Sequence, residues 1–117
     1  MPKITVYEKL TCTTCRKVSK ALTENGVDFE KVNYYVDPFS KTKLQSLLNK
    51  MNMKPSEILR KNEKTYKDLK FKEKNYKESQ ILDLMVKHPD LVQRPIVEKG
   101  AKAILARPPE KIFELFQ

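Results

Sequence analysis

The sequence predicts an α/β fold: a mixed four-stranded sheet with flanking helices and a helical insertion after the second strand. Three observations predict it. A short alternating apolar segment at the N-terminus is followed at once by an amphipathic helix and a second β-rich run. Helical spacing then dominates the middle of the chain. Two short β-prone runs flanking Gly100 precede a last helical segment.

Lys3 to Tyr7 alternates Ile4 and Val6 with polar neighbours, as a half-buried strand does. After the turn Glu8 to Thr11, a helix is predicted from about Thr13 to Asn25, with Cys15, Val18 and Leu22 on its inner face. Asn25-Gly26 is a helix stop. Val27 to Tyr35, rich in Val, Phe and Tyr, is the second predicted strand, and Asp37-Pro38 breaks it. Ser40 caps the next predicted helix, which carries Leu44, Leu47, Leu48 and Met51. Lys54-Pro55-Ser56 opens a short helix ending near Leu59. Lys61 to Lys77 is lysine-rich and poorly periodic, and is expected to be loop with short turns. Ser79 to Lys87 is helical and His88-Pro89 stops it. Pro95 to Glu98 and Lys102 to Leu105 are short strands, and Pro108-Pro109 opens the last helix, bearing Ile112, Leu115 and Phe116. A βαβ start requires a parallel pair and the late hairpin adds antiparallel strands, which is a thioredoxin-like outline. The expected organisation is one domain over residues 1–117, with the insertion at about 38–90.

A chain of 117 residues can bury one core without disulfide staples. Its apolar fraction of 39% and charged fraction of 33% exclude a disordered polyelectrolyte. No apolar run approaches the roughly 18 residues that cross a membrane. The first residues lack the apolar core of a secretion signal, so the cytoplasm is the expected location. The net charge is +9, yet of 24 basic residues only Arg16, Arg60, Arg94 and Arg107 are arginine. The lysines are spread as a solvated surface. The scarce arginines matter more, because a planar guanidinium fork grips an oxyanion as lysine cannot. Lys61 to Lys77 interleaves lysines with Tyr66, Phe71 and Tyr76, but Glu63, Asp68 and Glu73 interrupt it and no nucleic-acid-binding motif is present. A solvated loop with its aromatics turned to the core is the expectation there.

Cys12 and Cys15 are the two cysteines. Their spacing, in a chain without secretory features, reads as redox chemistry rather than a disulfide scaffold. Cys12 falls between a predicted strand and a helix N-terminus, where unpaired amides and the helix dipole stabilise a thiolate nucleophile. Arg16 and Lys17 add positive charge a turn later. Cys15 has two readings: a resolving thiol for Cys12, or a core thiol beside Val18 and Leu22. Zinc would need two further ligands, and His88 is the one histidine, so no metal is expected. Arg60, Arg94 and Arg107 each sit at the end of a predicted element, where loops build sites. Pro95 opens a strand and is a candidate structural cis-proline.

Together Tyr7 to Arg16, Arg60-Lys61-Asn62, His88-Pro89, Arg94-Pro95-Ile96-Val97 and Arg107-Pro108-Pro109-Glu110 resemble the glutaredoxin-linked arsenate reductase family, from about Ile4 to Phe116. The resemblance implies that Cys12 is the nucleophile and that Arg60, Arg94 and Arg107, with Arg16 nearby, bind the substrate oxyanion. It implies arsenate or a similar small oxyanion as substrate, no bound cofactor, and glutathione with glutaredoxin or thioredoxin as electron donors. A monomer is expected. Two departures are plain: Cys15 stands where the family commonly has Ser, and Glu8-Lys9-Leu10 where it has His-Asn-Pro. The Cys-x-x-Cys followed by Arg-Lys also resembles Spx-type regulators of the same fold, which implies a redox switch acting on RNA polymerase as the alternative function.

Overall fold

The computed structural model describes residues 4–9 and 13–116. They form two compact units, residues 1–37 with 94–117, and residues 38–93.

The first unit is built on a four-stranded sheet of order β2-β1-β3-β4. Strand β1 (Ile4–Glu8) pairs parallel with β2 (Glu30–Asn33) and antiparallel with β3 (Ile96–Lys99), which pairs antiparallel with β4 (Lys102–Leu105). Helix α1 (Thr13–Glu24) makes the crossover between the parallel strands. It ends in a Schellman turn: Val27 N–H donates to the Leu22 carbonyl and Gly26 N–H to that of Thr23. Gly26 sits at φ +67°, the left-handed conformation this closure requires. Side-chain alternation puts Ile4 and Val6 of β1 and Val97 of β3 on one sheet face. Val18 and Leu22 of α1 and Ile112 and Leu115 of the last segment cover them in a single buried cluster.

The sequence expectation for β2, Val27 to Tyr35, is too long. Val27 is consumed by the helix stop, and after Asn33 the chain turns: the Asn33 carbonyl accepts from Val36 and Asp37 N–H, and its side-chain Oδ1 accepts from Tyr35 N–H. The first strand was expected from Lys3, which lies outside the described residues, and it continues one residue further, to Glu8. Pro95 precedes β3 rather than opening it, because it has no N–H for the ladder. The Arg94–Pro95 peptide is cis, and so is Arg107–Pro108, which the sequence reading did not anticipate. The final segment, Pro109–Phe116, is 3-10 throughout.

The second unit is helical. Ser40 caps α2 (Lys41–Met51), accepting from Lys43 N–H at 3.0 Å, and Asn52 closes the helix in the left-handed conformation. A 3-10 turn follows at Pro55–Ile58. The lysine-rich stretch expected to be loop contains two short helices, α3 (Lys64–Asp68) and α4 (Phe71–Lys74). Aromatic packing explains them. Tyr66 stacks on Phe71 at 4.9 Å, Phe71 meets Tyr76 edge-on at 4.9 Å, and Tyr76 donates its hydroxyl proton to the Leu69 carbonyl. Tyr66 and Phe71 are buried, as expected, and Tyr76 is half-buried. Helix α5 (Glu78–Lys87) is tied to the 3-10 turn by Glu78, whose carboxylate accepts from both Ser56 N–H and Ser56 Oγ. Leu44, Leu47 and Leu48 of α2, Ile58, and Leu82 and Met85 of α5 are buried in this unit.

Candidate functional site

The topology of the first unit brings four strand ends to one edge of its sheet. The parallel strands β1 and β2 finish there, β3 begins there, and β4, antiparallel to β3, finishes there. The chain leaves β1 at this edge into the segment that carries Cys12. Cys12 itself lies outside the described residues, and α1 begins immediately after it in sequence, at Thr13.

Arg94, two residues before β3, is buried with a relative exposure of 8%. Its guanidinium Cζ lies 5.9 Å from the Tyr35 ring centroid, and its Nη1 donates to Tyr35 Oη at 3.4 Å. Arg107, two residues after β4, is exposed and donates from Nη1 to the Arg94 carbonyl at 2.8 Å. The structure therefore joins two of the arginines singled out by sequence. Arg16 lies exposed on α1. Arg60 belongs to the second unit, half-buried after the 3-10 turn. Its N–H donates to the Leu91 carbonyl, its Nε to Glu63 Oε1 at 3.0 Å and its Nη1 to Gln93 Oε1 at 3.3 Å. The backbone around it is fixed by a bridge between Leu59 and Val92.

Cys15 is fully buried on the inner face of α1 beside Val18 and Leu22. That placement puts the Cys15 thiol on the core side of α1.

Two residues at this edge escaped the sequence reading. Lys9, just past β1, holds its ammonium 4.7 Å from the Tyr35 centroid. Tyr35 therefore links Lys9 and Arg94. The signal was faint: a second tyrosine after the β2 run and a lysine beside the cysteine loop, neither with any periodicity to mark it. Glu8 ends β1 on the face of Ile4 and Val6, buried to 5%. Burial holds its carboxyl above the ordinary 4.5, while the Lys31 ammonium, at 3.9 Å, opposes the shift. On the opposite face Tyr7 donates its hydroxyl proton to Glu98 Oε1 at 2.8 Å, and both residues are buried. Among the described residues no group of three or more His, Cys, Asp or Glu is arranged to hold a metal. No described helix is long and apolar enough to cross a membrane.

A family model, ArsC family, matches residues 7–115. The chain is 33% identical over 114 residues to the Escherichia coli K-12 protein YfgD, covering 97% of this chain and 96% of that one. It is 31% identical over 117 residues to an arsenate reductase of Escherichia coli, covering all of this chain and 83% of that one. A global transcriptional regulator Spx of Streptococcus pyogenes is 30% identical over 94 residues, covering 80% of this chain and 70% of the regulator. Among solved structures, one from Yersinia pestis is 30% identical with a TM-score of 0.89, covering 96% of this chain and 99% of that one. An arsenate reductase structure from Vibrio cholerae, 24% identical with a TM-score of 0.90 over 97% of each chain, shares the same thioredoxin-like fold.

Proposed function

Because the chain belongs to the ArsC family, we propose that it is a thiol-dependent oxidoreductase that reduces arsenate to arsenite through Cys12, acting as a single domain in the cytoplasm. The observation that carries this reading is the junction of Arg94 and Arg107 at the sheet edge from which β1 leads to Cys12. Two guanidinium groups fixed by the fold neutralise an oxyanion and orient it for attack. Arg60 is assigned as the third oxyanion ligand from the family pattern, and Arg16 as a further positive charge close to the thiolate in sequence.

The chemistry assigns each atom. The Cys12 thiolate, favoured directly before a twelve-residue helix, attacks the arsenic and displaces an oxygen that leaves as water. A second thiol attacks the resulting thiol–arsenate adduct. The arsenic takes two electrons and departs as arsenite, while the two thiols become a disulfide. On the family pattern that thiol is glutathione, which is the proposed donor, with glutaredoxin clearing the mixed disulfide. The reaction needs no bound cofactor.

The alternative reading is a redox switch acting on RNA polymerase, favoured by the Cys-x-x-Cys spacing and the similarity to Spx. The deciding measurement is arsenate-dependent NADPH oxidation with glutathione, glutaredoxin and glutathione reductase, on the wild type and Cys12→Ser. Turnover lost in Cys12→Ser supports the reductase. A folded, reduced protein without turnover, but forming a Cys12–Cys15 disulfide with peroxide, supports the switch.

A further inference from the structure

We propose that Lys9 and Tyr35 complete the oxyanion site, Lys9 as a further cation and Tyr35 as the residue that positions both Lys9 and Arg94. The proposal deepens the arsenate reductase reading and rests on it for the identity of the anion. It stands on the meeting of two cations at one ring. Lys9 Nζ is 4.7 Å and Arg94 Cζ 5.9 Å from the Tyr35 centroid, and Arg94 Nη1 lies 3.4 Å from the Tyr35 hydroxyl oxygen. Arg107 is tied to the Arg94 main chain by its hydrogen bond to the Arg94 carbonyl.

The four residues come from four strand ends. Lys9 follows β1, Tyr35 follows β2, Arg94 precedes β3 and Arg107 follows β4. The backbone fixes Tyr35 in turn. Tyr34 N–H donates to the Glu8 carbonyl at 3.3 Å, and Tyr35 N–H to Asn33 Oδ1 at 3.0 Å. Like charges gathered in a partly desolvated place repel one another, a cost that the negative ring face lowers and a multiply charged anion reverses. The phenol serves both cations. Its ring attracts each electrostatically, and its hydroxyl oxygen accepts from the guanidinium, so the fork is held in one orientation before the anion arrives. Preorganisation of this kind lowers the ordering cost of binding. Lys9 lies three residues before Cys12, so its charge enters the site from the strand that also delivers the nucleophile.

Calorimetric titration of arsenate into the Cys12→Ser protein reads binding without chemistry. Removing the ring with Tyr35→Leu is expected to weaken arsenate binding about five- to thirty-fold, the range that loss of two cation–π contacts covers. Tyr35→Phe keeps the ring, loses the acceptor and falls between. Lys9→Met weakens binding about threefold or more, and Lys9→Arg restores it, which a merely structural role would not do. In the Cys12 protein the same variants raise KM for arsenate with little change in kcat. Unchanged affinity in folded Tyr35→Leu and Lys9→Met overturns the proposal, as does a Cys12→Ser protein that binds no arsenate. Binding that responds to these substitutions in a protein without turnover upholds the site and overturns the reductase reading alone.

Discussion

Replacing Tyr7 by Phe tests the central strand pair that holds the site edge in place. In the β1–β3 register Tyr7 faces Ile96, and Glu98, two residues on, shares its sheet face. The hydroxyl donates to Glu98 Oε1 at 2.8 Å, with Tyr7 at 7% and Glu98 at 8% exposure. A hydrogen bond to a charged group contributes about 1.5–3 kcal/mol, and burial removes the water that would replace it. With an unfolding entropy of about 2.1 cal/mol/K per residue, a chain of this length that unfolds as one cooperative unit loses about 6–12 °C of Tm. Thermal unfolding of the wild type and Tyr7→Phe by circular dichroism reads this directly. The same substitution in a Glu98→Gln background should cost clearly less, because the partner charge is gone. A drop under about 2 °C, or an equal drop in both backgrounds, refutes the reasoning.

Other substitutions probe the remaining features. Glu8 has a raised carboxyl pKa in the folded protein, so the folded state binds its proton more tightly than the unfolded chain does. The associated stability is present below the unfolded value near 4.5 and is lost as pH rises through the folded pKa. Glu8→Gln should therefore gain stability relative to the wild type as pH rises above about 4.5, and keep that gain once the carboxyl ionises in the folded protein, measured by chemical denaturation across a pH series. Gly26→Ala keeps ample space, with no atom within 4 Å of the new Cβ, but must hold φ near +67°. It should cost about 1–2 kcal/mol by urea denaturation. Cys15→Ala should retain glutathione-dependent turnover while losing about 1 kcal/mol or more of stability from its buried position. Loss of turnover with the fold intact would restore Cys15 as the resolving thiol. Arg107→Ala should raise KM for arsenate more than tenfold in the coupled assay, since charge-assisted contacts to an oxyanion are among the strongest.

The strands, the parallel β-α-β start and the late hairpin were legible because each signal was local. Alternation at Ile4 and Val6, the Asn25-Gly26 stop and the Gly100 turn follow from backbone sterics and side-chain period, which need no distant partner. The arginines stood out for the same reason: scarcity and position at element ends are properties of the string. Helices α3 and α4 were not legible, because their stability comes from Tyr66, Phe71 and Tyr76 packing on one another rather than from periodicity. Nor was the end of β2, where the Asn33 side chain diverts the backbone into a turn. The sequence by itself determined the strand–helix–strand start, the cysteine before a helix and the guanidinium chemistry available. Only the tertiary structure decided that Arg94 and Arg107 meet and that Tyr35 carries Lys9 and Arg94 on one ring. Those facts depend on strand ends far apart in sequence converging at one sheet edge, and pairing register, not local pattern, sets that convergence.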